Sequence, residues 1–174
     1  MADRCRFDVF STSLGWMAVL ASDRGIRRLV LPRPTRDQAM QELRLRTSHA
    51  DHSPPSFDGL RRRLEAHFSG ANVDFEDNLD LEGASEFMVK AWKACQSIPK
   101  GEVRTYNWLA EQAGNGRAAR AAGLAMSRNR VPIIIPCHRV IGSDGSLHGY
   151  AGGLPLKQRL LEIEGALPKA HRLI

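Results

Sequence analysis

The run Ile133-Ile134-Ile135-Pro136-Cys137-His138 constrains this chain more than any other stretch. Three consecutive isoleucines make a segment that has to be buried, and a proline then stops it. Pro136 fixes its own φ and pushes Ile135 toward an extended conformation, so the chain leaves the core with little freedom where the Cys137 sulfur sits. This reading places Cys137 and His138 in an extended segment, with their side chains on opposite faces. A cysteine so held is either core filler, because a free thiol packs like a small hydrophobe, or an aimed nucleophile. The second role needs a base or a positive charge, since a thiol of ordinary pKa, about 8.5, is mostly protonated at neutral pH. His138 is the candidate base.

Charge is split unevenly along the 174 residues. Residues 1–86 carry 12 Lys and Arg against 14 Asp and Glu, whereas residues 87–174 carry 13 against 5. All of the net positive charge therefore lies in the half that holds the Pro-Cys-His run. That half suits a polyanionic partner, whose phosphates would supply non-specific affinity; the alternative is a solvated basic face. Cys5, Cys95 and Cys137 form no Cys-x-x-Cys pair and cannot all be bridged, as expected for a reduced, intracellular protein. The start, Met1-Ala2-Asp3-Arg4, is charged, and no apolar run approaches the roughly 18 residues of a membrane span. A cytoplasmic protein without a membrane partner is expected.

Short apolar stretches at Phe7 to Phe10, Leu14 to Ala21 and Ile26 to Leu31 read as antiparallel strands, the last two joined through Ser22-Asp23-Arg24-Gly25. A helix is expected from an N-cap at Thr35 to about Arg46, and another from Ser56 to Phe68 ending at Gly70. Residues 48–55 read as loop, and residues 69–81 as a short strand followed by a linker. Ser85 opens a helix through Phe87, Ala91, Trp92 and Cys95. Thr105 begins a helix through Trp108, Leu109 and Ala110; Gly114-Asn115-Gly116 turns the chain; Arg117 to Met126 forms a second, alanine-rich helix. Two short helices about a glycine-containing turn fit a helix-turn-helix, and equally an alanine-rich pair packed in a core. His49 and His52 could be imagined beside Cys5 as metal ligands, but no second thiolate lies at ligand spacing, and no metal is expected.

The Pro-Cys-His stretch resembles the signature of the O6-alkylguanine-DNA alkyltransferases, or methylated-DNA–protein-cysteine methyltransferases. The likeness extends upstream through Gly101-Glu102-Val103-Arg104-Thr105-Tyr106, Ala113-Gly114-Asn115, Arg117-Ala118-Ala119-Arg120-Ala121 and Asn129. Downstream it takes in Gly149-Tyr150-Ala151-Gly152-Gly153, Lys157 and Leu160 to Gly165. It is specific over residues 85–166, and rests on general layout over residues 1–84. It implies an α+β chain in two parts: a structural domain over 1–82, with a small antiparallel sheet and helices of ribonuclease-H-like type, and a mostly helical DNA-binding and alkyl-acceptor domain over 83–174 with a helix-turn-helix.

The resemblance also implies the chemistry. Cys137 accepts the alkyl group from guanine O6, His138 draws off the thiol proton through a water, Glu164 orients the imidazole, and Tyr106 donates toward the base. For Tyr106 and Glu164 the alternatives are a packed tyrosine and a helix-end carboxylate. Arg120 fills the gap left by an extruded nucleotide, or simply contacts phosphate, with Thr105, Arg117, Ala119, Ala121 and Gly123 also facing DNA. Met126, Val140, Tyr150, Ala151 and Gly152 line the base pocket. Glycines 149, 152 and 153 leave backbone N–H groups free for the purine. Asn129 links the helix pair to the cysteine turn, and Arg130, where many relatives have proline, loosens that turn or adds a phosphate contact.

No cofactor is implied; the partner is duplex DNA carrying O6-alkylguanine, met by a monomer. O4-alkylthymine as a second substrate and cooperative assembly on DNA stay open. A non-enzymatic damage-recognition protein of similar fold would lack the acceptor cysteine. A cysteine hydrolase would draw its Cys-His pair from separate parts of the chain.

Overall fold

Strands with runs of three or four consecutive buried residues organise the first half of the computed structural model, which describes residues 4–43 and 49–167. Strands β1 (Cys5–Thr12), β2 (Gly15–Ser22) and β3 (Gly25–Arg33) form an antiparallel meander, with Val9 opposite Ala18 and Ala18 opposite Val30. That face is covered by α1 (Arg36–Leu43), whose Ala39 and Leu43 complete a small core with the same three residues. Thr35 and Gln38 start α1 with reciprocal bonds: Gln38 N–H donates to Thr35 Oγ1 at 3.2 Å, and Thr35 N–H to Gln38 Oε1 at 3.2 Å. Alternate residues such as Phe10 point to the other face. There α2 (Asp58–Phe68) packs after a 3-10 turn at Pro54–Phe57, with the Arg61 guanidinium 5.4 Å from the Phe10 ring centre.

Two expectations for this half need correction. Residues 48–55 are not all loop, because Ala50–His52 is a fourth strand, β4, parallel to β1 and paired from Cys5↔Ala50 to Phe7↔His52. The sheet order is therefore β3-β2-β1-β4. Ala-Asp-His has neither alternation nor β-branching, and its pairing is set by a partner more than forty residues away. Residues 69–81 contain a single parallel bridge, Ile26↔Leu79, and no strand. Its contact with the start of β3 is close: a Cβ on Gly25, where φ is +144°, would lie 2.2 Å from Asn78 O, so only glycine fits. The expected helix end at Arg46 lies outside the described residues. His52 stands on β4 with Nε2 3.2 Å from Asp8 Oδ1.

The chain divides into two units, Met1–Glu82 and Gly83–Ile174. In the second, α3 (Glu86–Gln96) is capped by Ser85, which accepts from Met88 N–H, and α4 (Tyr106–Gln112) by Thr105, which accepts from Trp108 N–H at 3.1 Å. The chain then turns at Gly114, φ +95°, into α5 (Ala119–Ser127). Helices α3, α4 and α5 pack on one another, and Trp92 Nε1 donates to Ala125 O at 2.8 Å. The last helix, α6 (Leu154–Ile163), follows a long loop. Between them, β5 (Arg104–Thr105) and β6 (Val140–Ile141) form a two-residue parallel ladder, which brings the start of α4 beside the chain that leaves Cys137. The described residues contain no helix long and apolar enough to cross a membrane.

Candidate active site

The isoleucine run is buried as expected, yet its exit is a tight turn. Cys137 N–H donates to Ile135 O at 2.8 Å across Pro136, whose φ of −80° and ψ of 62° describe an inverse γ-turn. Cys137–Arg139 then form one 3-10 turn. The expected extended segment is thus corrected. Successive side chains still diverge, because a 3-10 turn rotates by a third of a circle per residue. Upstream, Ile133 has φ +75°, a strained conformation for a β-branched residue.

Asn129, just beyond α5, holds this turn in place. Its Oδ1 accepts from Val131 N–H at 2.9 Å, while its Nδ2 donates to Ile135 O at 2.9 Å and to Cys137 Sγ at 3.1 Å. One amide thus fixes both the loop backbone and the sulfur. Burial pushes the Cys137 thiol up, against the pull of the Asn129 hydrogen bond and the Lys157 ammonium. The thiol is consequently protonated at rest and needs a base.

His138 is fully buried, with Nε2 2.7 Å from Glu164 Oε1. If Nε2 carries the proton toward the carboxylate, Nδ1 is the basic nitrogen. Glu164, at the C-terminal end of α6, is itself clamped: Arg139 donates from Nε to Oε2 at 2.9 Å and from Nη2 to Oε1 at 3.0 Å, while its Nη1 donates to Ile98 O at 2.6 Å. The carboxylate therefore takes a fixed position on the imidazole.

Lys157, on α6, is also fully buried and spans the base of the site. Its Nζ donates to Val140 O at 2.7 Å and to Leu147 O. Burial lowers it to about 8, although the Cys137 and Cys95 thiols push the other way. Tyr106 begins α4, its ring edge-on to His148 with centres 6.0 Å apart. Burial raises its phenol, with Cys137 adding to the rise, so it stays a hydrogen-bond donor at neutral pH. A Cβ on Gly123 of α5 would lie 3.9 Å from the Tyr106 ring.

Met126 and Val140 are buried, and the half-buried Tyr150 encloses its hydroxyl, which has no hydrogen-bond partner among the described residues. Burial drives that phenol well up, with Cys137 and Glu164 contributing. Gly152 is half-buried and Ala151 exposed. Gly153 departs from expectation: its N–H is not free but donates to Tyr150 O at 2.9 Å, and its φ of +85° sets the start of α6. On α5 and just before it, Arg117, Arg120 and Ala121 are exposed, while Ala119 and Gly123 are half-buried, like Thr105 ahead of α4. Arg130 lies over the Trp92 ring, 6.0 Å from its centre. Sequence reasoning assigned no role to Arg139, Lys157 or His148. Arg139, next to His138, and Lys157, within the stretch that carries the family likeness, were the two with a visible signal.

Fold and site together define a protein built around one enclosed, hydrogen-bonded thiol beside an oriented imidazole, on a unit rich in positive charge. A family profile described as "6-O-methylguanine DNA methyltransferase, DNA binding domain" matches residues 86–166. The methylated-DNA--protein-cysteine methyltransferase of Mycolicibacterium paratuberculosis is 50% identical over 112 residues, 64% of this chain and 67% of that protein. That of Methanosarcina acetivorans is 50% identical over 105 residues, 60% and 67% of the two chains. Among solved structures, Mycobacterium tuberculosis OGT in complex with DNA superposes with a TM-score of 0.78 at 36% identity, covering 92% of this chain and 93% of the other. The chain belongs to the methylated-DNA–protein-cysteine methyltransferase family.

Proposed function

We propose that this protein repairs DNA by direct reversal, moving the alkyl group of O6-alkylguanine onto Cys137 once and irreversibly. The observation that carries this reading is a pair of hydrogen-bonded sets on one turn, Asn129–Cys137 and His138–Glu164–Arg139, the first of which aims one sulfur and the second of which orients one base. His138 takes the thiol proton, relayed by one water. The thiolate attacks the alkyl carbon, a C–S bond forms, and the C–O6 bond breaks with its electron pair going to the purine. Tyr106 gives its proton to the base as that negative charge develops, and solvent exchange returns the proton held by His138 to the phenolate, so the net proton transfer is from sulfur to guanine. Met126, Val140, Tyr150, Ala151 and Gly152 wall the base pocket.

Reaching the alkyl carbon requires the nucleotide to leave the stack, at a cost of a few kcal/mol. We read α4 and α5 as a helix-turn-helix whose second helix meets the duplex, with Arg120 occupying the emptied position and Thr105, Arg117, Ala119, Ala121 and Gly123 close to DNA. The exposure of Arg120 and the excess positive charge of residues 87–174 support this. The first unit is read as a structural, ribonuclease-H-like domain, supported by its β3-β2-β1-β4 order with β4 parallel to β1. The unpaired Cys5, Cys95 and Cys137 suit a reduced cytoplasmic setting.

Titration with excess duplex containing O6-methylguanine tests the reaction. One equivalent should be consumed, after which transfer stops, and peptide mass analysis should place a single methyl group on the Cys137 peptide. Sustained turnover would overturn single use. Binding without transfer would place the chain among damage-recognition proteins.

A further inference from the structure

Leu124 is the most exposed large apolar side chain among the described residues, at 49% of its full exposure, and it stands in the middle of α5. The helix buries Ala122, Ala125 and Met126. The opposite stripe of α5, at helical spacing, runs from Arg120 through Ala121 and Leu124 to Arg128 at the C-cap, all exposed. No acidic residue occurs from position 112 to position 143. A leucine flanked at both ends by guanidinium groups, with no carboxylate nearby in sequence, matches a partner with apolar walls between two rows of negative charge. The minor groove of duplex DNA has that character: deoxyribose walls flanked by phosphates.

We propose that Leu124 is an apolar wedge in the minor groove. Placed one helical turn beyond Arg120 on the same face, it packs against sugar edges and a base step beside the extruded nucleotide, holding the opened duplex in register. The inference rests on the reading that α5 meets DNA, and it adds a positioning residue that touches neither the thiol nor the base pocket.

Leu124→Ala tests it, since alanine keeps helix propensity and removes the wedge. Single-turnover transfer from O6-methylguanine duplex should slow by about tenfold, the scale of the apolar burial forfeited. Reaction with free O6-benzylguanine should keep its wild-type rate. Leu124→Met, which retains bulk and apolar character, should restore most of the duplex rate. The slope of log affinity against log salt should match wild type in Leu124→Ala and become shallower in Arg128→Ala, because only the arginine releases counterions.

An unchanged duplex rate would overturn the wedge, as would equal slowing on the free base, which would mean that the site itself was disturbed. An unchanged duplex rate with reduced self-association in sedimentation would make Leu124 a protein contact instead. Failure of the wild-type protein to transfer any alkyl group would refute the underlying reading and the wedge with it; a Leu124→Ala defect confined to duplex substrate separates the two questions.

Discussion

Cys137 rests as a protonated thiol because burial outweighs the groups that favour its anion, so each of those groups controls how much base His138 must supply. Asn129 is the most direct of them. Replacing it with alanine removes the hydrogen bond that lowers the thiol, takes the acceptor from Val131 N–H, and leaves Ile135 O with Cys137 N–H as its remaining donor. An orphaned buried backbone group costs roughly 1–3 kcal/mol before relaxation. Asn129→Ala should therefore lower stability in urea unfolding by an amount of that order. It should also move the alkaline rise of the methyl-transfer rate to higher pH, since a thiol without this donor ionises later. A rate profile superimposable on wild type would mean that Asn129 anchors the loop without tuning the sulfur. Cys137→Ser separates reaction from binding: transfer should vanish while affinity for alkylated duplex persists in a gel-shift assay, because a hydroxyl fits the space but ionises far less readily. Loss of far-ultraviolet circular dichroism in that variant would point to a packing role for the thiol.

Helix α6 pins the active turn at two places, through Lys157 near its start and Glu164 at its end, seven residues apart and hence on one face. Lys157 falls from 10.5 in the free side chain to about 8 in the fold. The folded protein thus binds fewer protons at this site than the unfolded chain between about pH 8 and 10.5, and its stability rises with pH across that window. In Lys157→Met this contribution is gone. The stability difference between wild type and variant should accordingly shift in favour of wild type as pH climbs from about 8 to 10.5, and a flat difference in paired denaturation curves would contradict the assignment. The helices of this half were legible because their caps are local: Ser85 and Thr105 announce α3 and α4 three residues ahead of the N–H groups they accept. Asn129 and Glu164 were legible only through the family's motif, because nothing in spacing connects residues that meet across loops. Strand β4 and the turn at Pro136 escaped for a related reason: a three-residue parallel strand is fixed by its distant partner, and an inverse γ-turn leaves no pattern beyond its proline.

At the scale of the whole chain, positive charge is concentrated in Gly83–Ile174, whereas Met1–Glu82 closes its own chain end with charge. Asp80 is buried at the end of that first unit, accepting from Ser22 Oγ at 2.6 Å and from Arg27 Nη2 at 2.7 Å, with Arg24 bridging to Glu82. These bonds tie residues 78–82 to the hairpin of β2 and β3, where Gly25 has no room for a side chain. Burial alone would raise the Asp80 carboxyl, but Ser22 and Arg27 outweigh it and hold the group at about 2, down from 3.8. A depressed carboxylate contributes stability that is present in full above its unfolded value and is lost as pH falls through its folded value. Asp80→Asn should therefore be less stable than wild type at neutral pH by on the order of 1 kcal/mol, after discounting for water around the half-exposed Arg24. The gap should close as pH drops from 3.8 toward about 2, where the wild-type carboxyl also becomes neutral. Parallel urea titrations of the two proteins across that range measure it directly. A gap that stays constant would show that Asp80 acts through shape and hydrogen bonding, with its charge contributing nothing.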